Sequence, residues 1–223
     1  YIGVLPISHG EKIRNLFSEL FEIDTVLLPN YLNVTLTPSN PILHPSRLYS
    51  IFKDYYFGKV YDKMPLFYED WTDESSKLLI NCDLELHTIL NKMSLDTSYI
   101  KPLLEHYESN NYTELTNKIR SIKSFKGLET PSKKIDNGYI PDLNSRYFTA
   151  DIPYGLIIIK SFGILYSVNT PNINIIIDWY QKIVNKEYII LSNDTLGKDA
   201  IELNLPQLYG IDSDIKVKKF YSK

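Results

Sequence analysis

From His44 to the C-terminus, the apolar residues of this 223-residue chain mostly recur every three or four positions. That is the spacing of helices with one buried face. Pro45, read as a first-turn proline, predicts a helix over 44–56. Asp70, Thr72 or Asp73 then caps a long helix reaching about Met93. Its inner face carries Leu78, Leu79, Cys82, Leu86, Ile89 and Leu90. Two short helices are expected over 97–108 and 112–122. Thr170–Pro171 starts another, with Ile173, Ile176, Ile177, Tyr180 and Ile183 at helical spacing. Helices near 195–203 and 212–221 close the chain. Residues 123–143, with Gly, Pro, Lys and Asp and little periodicity, read as one long loop.

Only the start departs from this pattern. Residues 1–6 and 24–29 read as short strands around a helix bearing Ile13, Leu16, Phe17, Leu20 and Phe21. The fold class is therefore mainly α with a short β–α–β start. The division is 1–30 and 31–223, with the first part expected to be the tail of a larger sheet. Hydrophobic residues make up 43% of the chain, enough for a sizeable core.

Composition excludes several functions. The net charge is -3 and no basic block stands out, so neither nucleic acid nor an anionic membrane surface is an expected partner. The longest apolar stretch, Leu156–Ile159, is four residues, so no membrane span is expected. The one cysteine, Cys82, forms no internal disulfide and fits a reducing, cytoplasmic setting. No CxxC, HExxH or GxSxG occurs, and no metal is expected. The nine glycines never bunch into GxGxxG, so this stretch alone forms no dinucleotide fingerprint. The aromatic run "YDKMPLFYEDW" (61–71) reads first as core packing, with a pocket lining as the alternative.

Of the four histidines, His9 reads as a turn residue, and His87 and His106 as structural or surface residues. His44 lies between Pro41 and Pro45 at what reads as a loop-to-helix junction. A ring stiffened in that way suits acid–base work, because free histidine titrates near neutrality; a capping role is the alternative. In "NSRYFTADIPYGLIIIKSFG" (144–163), Arg146 and Asp151 precede an apolar helix. Thr149 is expected to cap that helix, with Asp151 in its first turn, favoured by the dipole. Asp151 could also accept a hydrogen bond from a histidine ring, and Arg146, on an extended lead-in, could clamp a carboxylate.

Three blocks resemble the octopine/nopaline (opine) dehydrogenase family, in order along nearly the whole chain. They are Asn40 to His44–Pro45, Arg146 to Asp151–Ile–Pro153–Tyr–Gly155–Leu156, and Val168–Asn–Thr170–Pro171. The resemblance is to the family's helical C-terminal substrate domain, and "YIGVLPISHGEKIRNLF" (1–17) looks like the last segment of its Rossmann domain. It implies an enzyme that joins an amino acid to an α-keto acid and reduces the imine with NAD or NADP as cofactor. The cofactor would be bound mainly by an N-terminal Rossmann domain absent from this chain. It implies His44 as the proton donor and acceptor, Asp151 as its orienting partner, Arg146 as the carboxylate binder and Asn40 as a polar substrate contact. Two positions depart from the family pattern: Ala150 stands where an acidic residue often does, and Ser50–Ile51–Phe52 lacks an expected asparagine. These bear on the choice of amino acid. Two other readings remain: a two-domain dehydrogenase of a 2-hydroxy acid or polyol, and a non-catalytic helical dimerisation or binding domain. A homodimer is left open.

Overall fold

The computed structural model describes residues 1–222. Ten α-helices lie among them: α1 (Gly10–Phe21), α2 (Leu32–Thr35), α3 (Ser39–Phe52), α4 (Asp73–Leu90), α5 (Leu103–His106), α6 (Tyr112–Ser121), α7 (Arg146–Thr149), α8 (Ile157–Leu165), α9 (Pro171–Val184) and α10 (Asp214–Tyr221). Four short strands pair as two antiparallel hairpins, β1 (Ser132–Ile135) with β2 (Gly138–Pro141) and β3 (Ile189–Ile190) with β4 (Thr195–Leu196).

The centre is α4, which packs on α3, α6, α8 and α9. Thr72 starts it, its hydroxyl accepting from the Ser75 N–H at 3.2 Å. Leu79, Cys82, Leu86 and Ile89 then fall on one face and are fully buried. Burial of each such aliphatic side chain contributes roughly 1.5–3 kcal/mol. The polar residues of α4 organise their neighbours. Asp83 accepts the Leu103 N–H that opens α5, at 2.8 Å. Glu85 accepts the Asn172 and Ile173 N–H groups at 2.8 and 3.0 Å, so α9 is capped from a distance. The Thr170 hydroxyl, expected to cap α9, makes no capping bond. It accepts from the fully buried Lys160 Nζ at 2.9 Å, which also pairs with Asp194 at 2.6 Å.

Several sequence expectations are corrected. The loop 123–143 contains the β1–β2 hairpin, turned at Asp136–Asn137. Gly138 follows at φ 143°, where a Cβ would meet Tyr61 O at 2.4 Å. The helix expected over 97–108 shrinks to α5, and that over 195–203 is β4 followed by a 3-10 turn at Lys198–Glu202. The two opening strands reduce to one parallel bridge, Ile2 to Leu27. The helix between them forms as α1, but Leu16, Phe17, Leu20 and Phe21 on its apolar face are exposed. Helical structure runs on from Arg146 to Leu165, 20 residues apolar enough to cross a bilayer, whereas the longest uninterrupted apolar stretch within it is four residues. Here most of the run is buried in the core, with Ile152, Leu156, Ile157, Ile159 and Phe162 fully covered.

Candidate active site

Two helical segments meet closely because one of them carries a glycine. Gly155 lies against Pro41 of α3, and a Cβ there would come within 2.8 Å of the proline ring. Gly155 belongs to a π-turn, Ile152–Leu156, between α7 and α8. Pro153 has no N–H to return to Thr149, and the hydrogen bonds around it widen. The Leu156 N–H reaches back to Asp151 O at 3.0 Å, and the Asp151 N–H to Arg146 O at 3.3 Å. The widened turn seats Asp151 opposite α3.

His44 faces it. The His44 Nδ1–Asp151 Oδ2 distance is 2.7 Å, with the two side chains 11% and 19% exposed. A carboxylate only accepts, so Nδ1 carries the proton. Nε2 is then the acceptor, and the Tyr68 hydroxyl donates to it at 2.7 Å. Burial, aided by the neighbouring Tyr147, pushes the Tyr68 phenol far above its usual range and keeps it protonated. The Tyr147 ring stands edge-on to the imidazole at 4.4 Å, and Phe67 at 5.8 Å.

Arg47, one turn after His44, builds the loop that brings Tyr68 in. It is 2% exposed. Its guanidinium donates to the carbonyls of Phe67 (2.8 Å), Asp70 (2.7 Å) and Leu66 (3.3 Å), and to Ser75 Oγ (3.3 Å). It also lies over the Trp71 ring at 5.6 Å. Burial lowers its pKa to about 10, so it remains a cation at neutral pH.

The sequence-derived site residues therefore divide. His44 and Asp151 are in contact. His44 sits inside α3 rather than at a junction, because the helix starts at Ser39 and Pro45 is within it. Asn40 lies one turn before His44 and is exposed. Arg146 is the first residue of α7, not part of an extended lead-in, and its exposed side chain has no hydrogen-bond or ion-pair partner among the described residues. Thr149 does not cap, and its hydroxyl donates to Ser145 O at 3.1 Å. His87 lies 3.7 Å from Asp83 on α4, away from this cluster. Tyr68 and Arg47 were not singled out from sequence. A cleft of about 670 Å³ lined by Leu28, Pro38, Tyr99 and Leu103 lies beyond the start of α3, and neither His44 nor Asp151 lines it.

The model of the NAD/NADP octopine/nopaline dehydrogenase alpha-helical domain matches residues 27–184. Tauropine dehydrogenase of Arabella iricolor is 32% identical over 194 residues, 82% of this chain and 48% of the relative. Octopine dehydrogenase of Pecten maximus is 31% identical over 189 residues, 80% of this chain and 47% of the relative. The chain thus spans about half the length of the curated relatives it matches. A solved octopine dehydrogenase with NADH and L-arginine superposes with a TM-score of 0.79 at 29% identity, over 92% of this chain and 53% of that one. A second octopine dehydrogenase structure, with NADH and agmatine, gives 0.80 at 28% identity, with the same coverage. With its fold matched and residues 27–184, about seven-tenths of its length, matching the alpha-helical domain, this chain belongs to the octopine/nopaline dehydrogenase family.

Proposed function

We propose that this chain is the substrate-binding and acid–base half of an NAD(P)-dependent opine-type dehydrogenase, condensing an amino acid with an α-keto acid and reducing the imine. The 2.7 Å contact between His44 Nδ1 and Asp151 Oδ2 carries the reading. Condensation needs one group that takes two protons in turn from the incoming amine and gives them to the departing oxygen, and after hydride transfer passes a solvent proton to the product nitrogen. An imidazole held by a carboxylate does both, because Asp151 fixes its tautomer and steadies the charged ring. The exposed fork of Arg146, unpaired among the described residues, can bind a substrate carboxylate, and Asn40 offers an amide one turn from His44.

No dinucleotide cradle is present among the described residues, since the glycines stand apart. NAD(P) is assigned to a nucleotide-binding half outside this stretch, in line with the NADH found in the solved relatives. Residues 1–30 are grouped with that half, because the family match begins at residue 27 and the apolar face of α1 is uncovered.

The direct test follows NADH oxidation by the complete enzyme with pyruvate, with and without L-arginine or another amino acid. Oxidation that ignores the amine overturns the opine reading and favours a 2-hydroxy acid dehydrogenase. Arg146→Ala is expected to raise KM for the keto acid about tenfold to a hundredfold, the worth of a charge-assisted pair. An unchanged KM removes Arg146 from the site. Asp151→Asn keeps an acceptor but loses the charge, and kcat is expected to fall about a hundredfold or more.

A further inference from the structure

Asp151 occupies one nitrogen of the His44 ring, and the other lies 2.7 Å from the Tyr68 hydroxyl. From this geometry we infer that Tyr68 both positions the His44 ring and relays its proton: the hydroxyl gives its hydrogen to Nε2 as it takes one from the substrate, and then accepts from Nε2–H of the charged ring. The inference rests on the reading of His44 as the acid–base group.

A single bond to Asp151 lets an imidazole swing about its Cβ–Cγ axis. A second anchor on the opposite edge removes that freedom. A hydroxyl is suited to the task because it both donates and accepts, so the anchor survives each change of protonation. Tyr68 is itself held firmly. Its ring stacks on Phe125 at 4.1 Å and 18°, it is 4% exposed, and Arg47 ties down the backbone on either side. Burial keeps it a phenol, so it does not compete for the proton as a base. The titratable and charged groups around the ring are Asp151 from the π-turn segment, Tyr68 from the 66–71 loop, Tyr147 from α7, and Arg47, whose fork is turned to loop carbonyls. Within the aromatic run 61–71, the rings pack the core while one hydroxyl reaches the candidate site.

Tyr68→Phe keeps the ring and removes only the oxygen. In the complete enzyme, kcat is expected to fall about tenfold with KM for the keto acid little changed. Its loss is also expected to alter the pH profile of the oxidative kcat/KM, which packing alone would not move. Unchanged kcat and an unchanged profile would show that Tyr68 is only packing. A rise in kcat with a lower KM would show that its hydroxyl merely competes with substrate for Nε2. Either result overturns the inference. The 15N chemical shift of His44 Nε2 without substrate separates the two claims. A changed shift in Tyr68→Phe supports the contact even in an enzyme that makes no opine, and an unmoved shift overturns it even in one that does.

Discussion

Replacing His44 with alanine should lower kcat of the complete enzyme by about 10²–10⁴-fold, the usual worth of a positioned acid–base group. It is the largest catalytic loss expected from any single substitution in this chain. Alanine removes the only imidazole in contact with Asp151 among the described residues. Tyr68 cannot take over, because burial holds its phenol far above its usual range. The fold should tolerate the change. Asp151 keeps 19% of its side chain exposed and can recover a partner from solvent. The Tyr147 and Phe67 rings beside the imidazole lose only edge contacts. A stability cost of roughly 1–3 kcal/mol is expected from the severed hydrogen bonds and the small void. Steady-state turnover, read beside a thermal melt, checks both parts. A folded variant that retains turnover within a few-fold of wild type would remove the acid–base role.

How legible the molecule is in its sequence depends on how local each signal is. Helices α4 and α9 could be read from their apolar stripes and their openings, Thr72 and Thr170–Pro171. The start of α3 was misplaced because Pro45 looked like a first-turn residue. It is Pro41 that lies in the first turn, where an N–H is not needed, while the burial of Ile42, Leu43 and Leu48 carries the helix through Pro45. The β1–β2 hairpin is hard to read because its turn falls at Asp136–Asn137, one position before the Asn137–Gly138 pair that would mark a two-residue turn. Its strands show no apolar alternation, since Lys133 and Lys134 are both exposed, and it is docked by a long-range bridge between Tyr61 and Tyr139. On α1 the period was right but its consequence was not, because a stripe says that a face is apolar and not what covers it.

The candidate site divides in the same way. His44 and Asp151 stand in recognisable blocks, and Pro153 and Gly155 have a readable purpose once the π-turn is seen. Tyr68 lay within a run of aromatics, and no spacing distinguishes the hydroxyl that reaches Nε2 from its neighbours. Arg47 was one cation among many. Its partners are carbonyls of residues 66, 67 and 70, and backbone atoms leave no trace in side-chain pattern.

Arg47→Ala should therefore produce the largest loss of stability, about 3–5 kcal/mol. Arg47 is 2% exposed, and alanine would leave three loop carbonyls and Ser75 Oγ without their donor, together with a cavity beside Trp71. For a chain of this size, that loss corresponds to a melting temperature lower by on the order of 10 °C. Lysine should rescue only part of it, because an ammonium lacks the planar fork that spans Phe67 O and Asp70 O together. The effect should also reach the candidate site, since the loosened loop is the one that carries Tyr68 to His44. Arg47→Lys, if it folds, should thus resemble Tyr68→Phe in its pH profile while being less stable than that variant. If Arg47→Ala melts within about 2 °C of wild type, the guanidinium is not what holds the loop, and another source must be found for the placement of Tyr68.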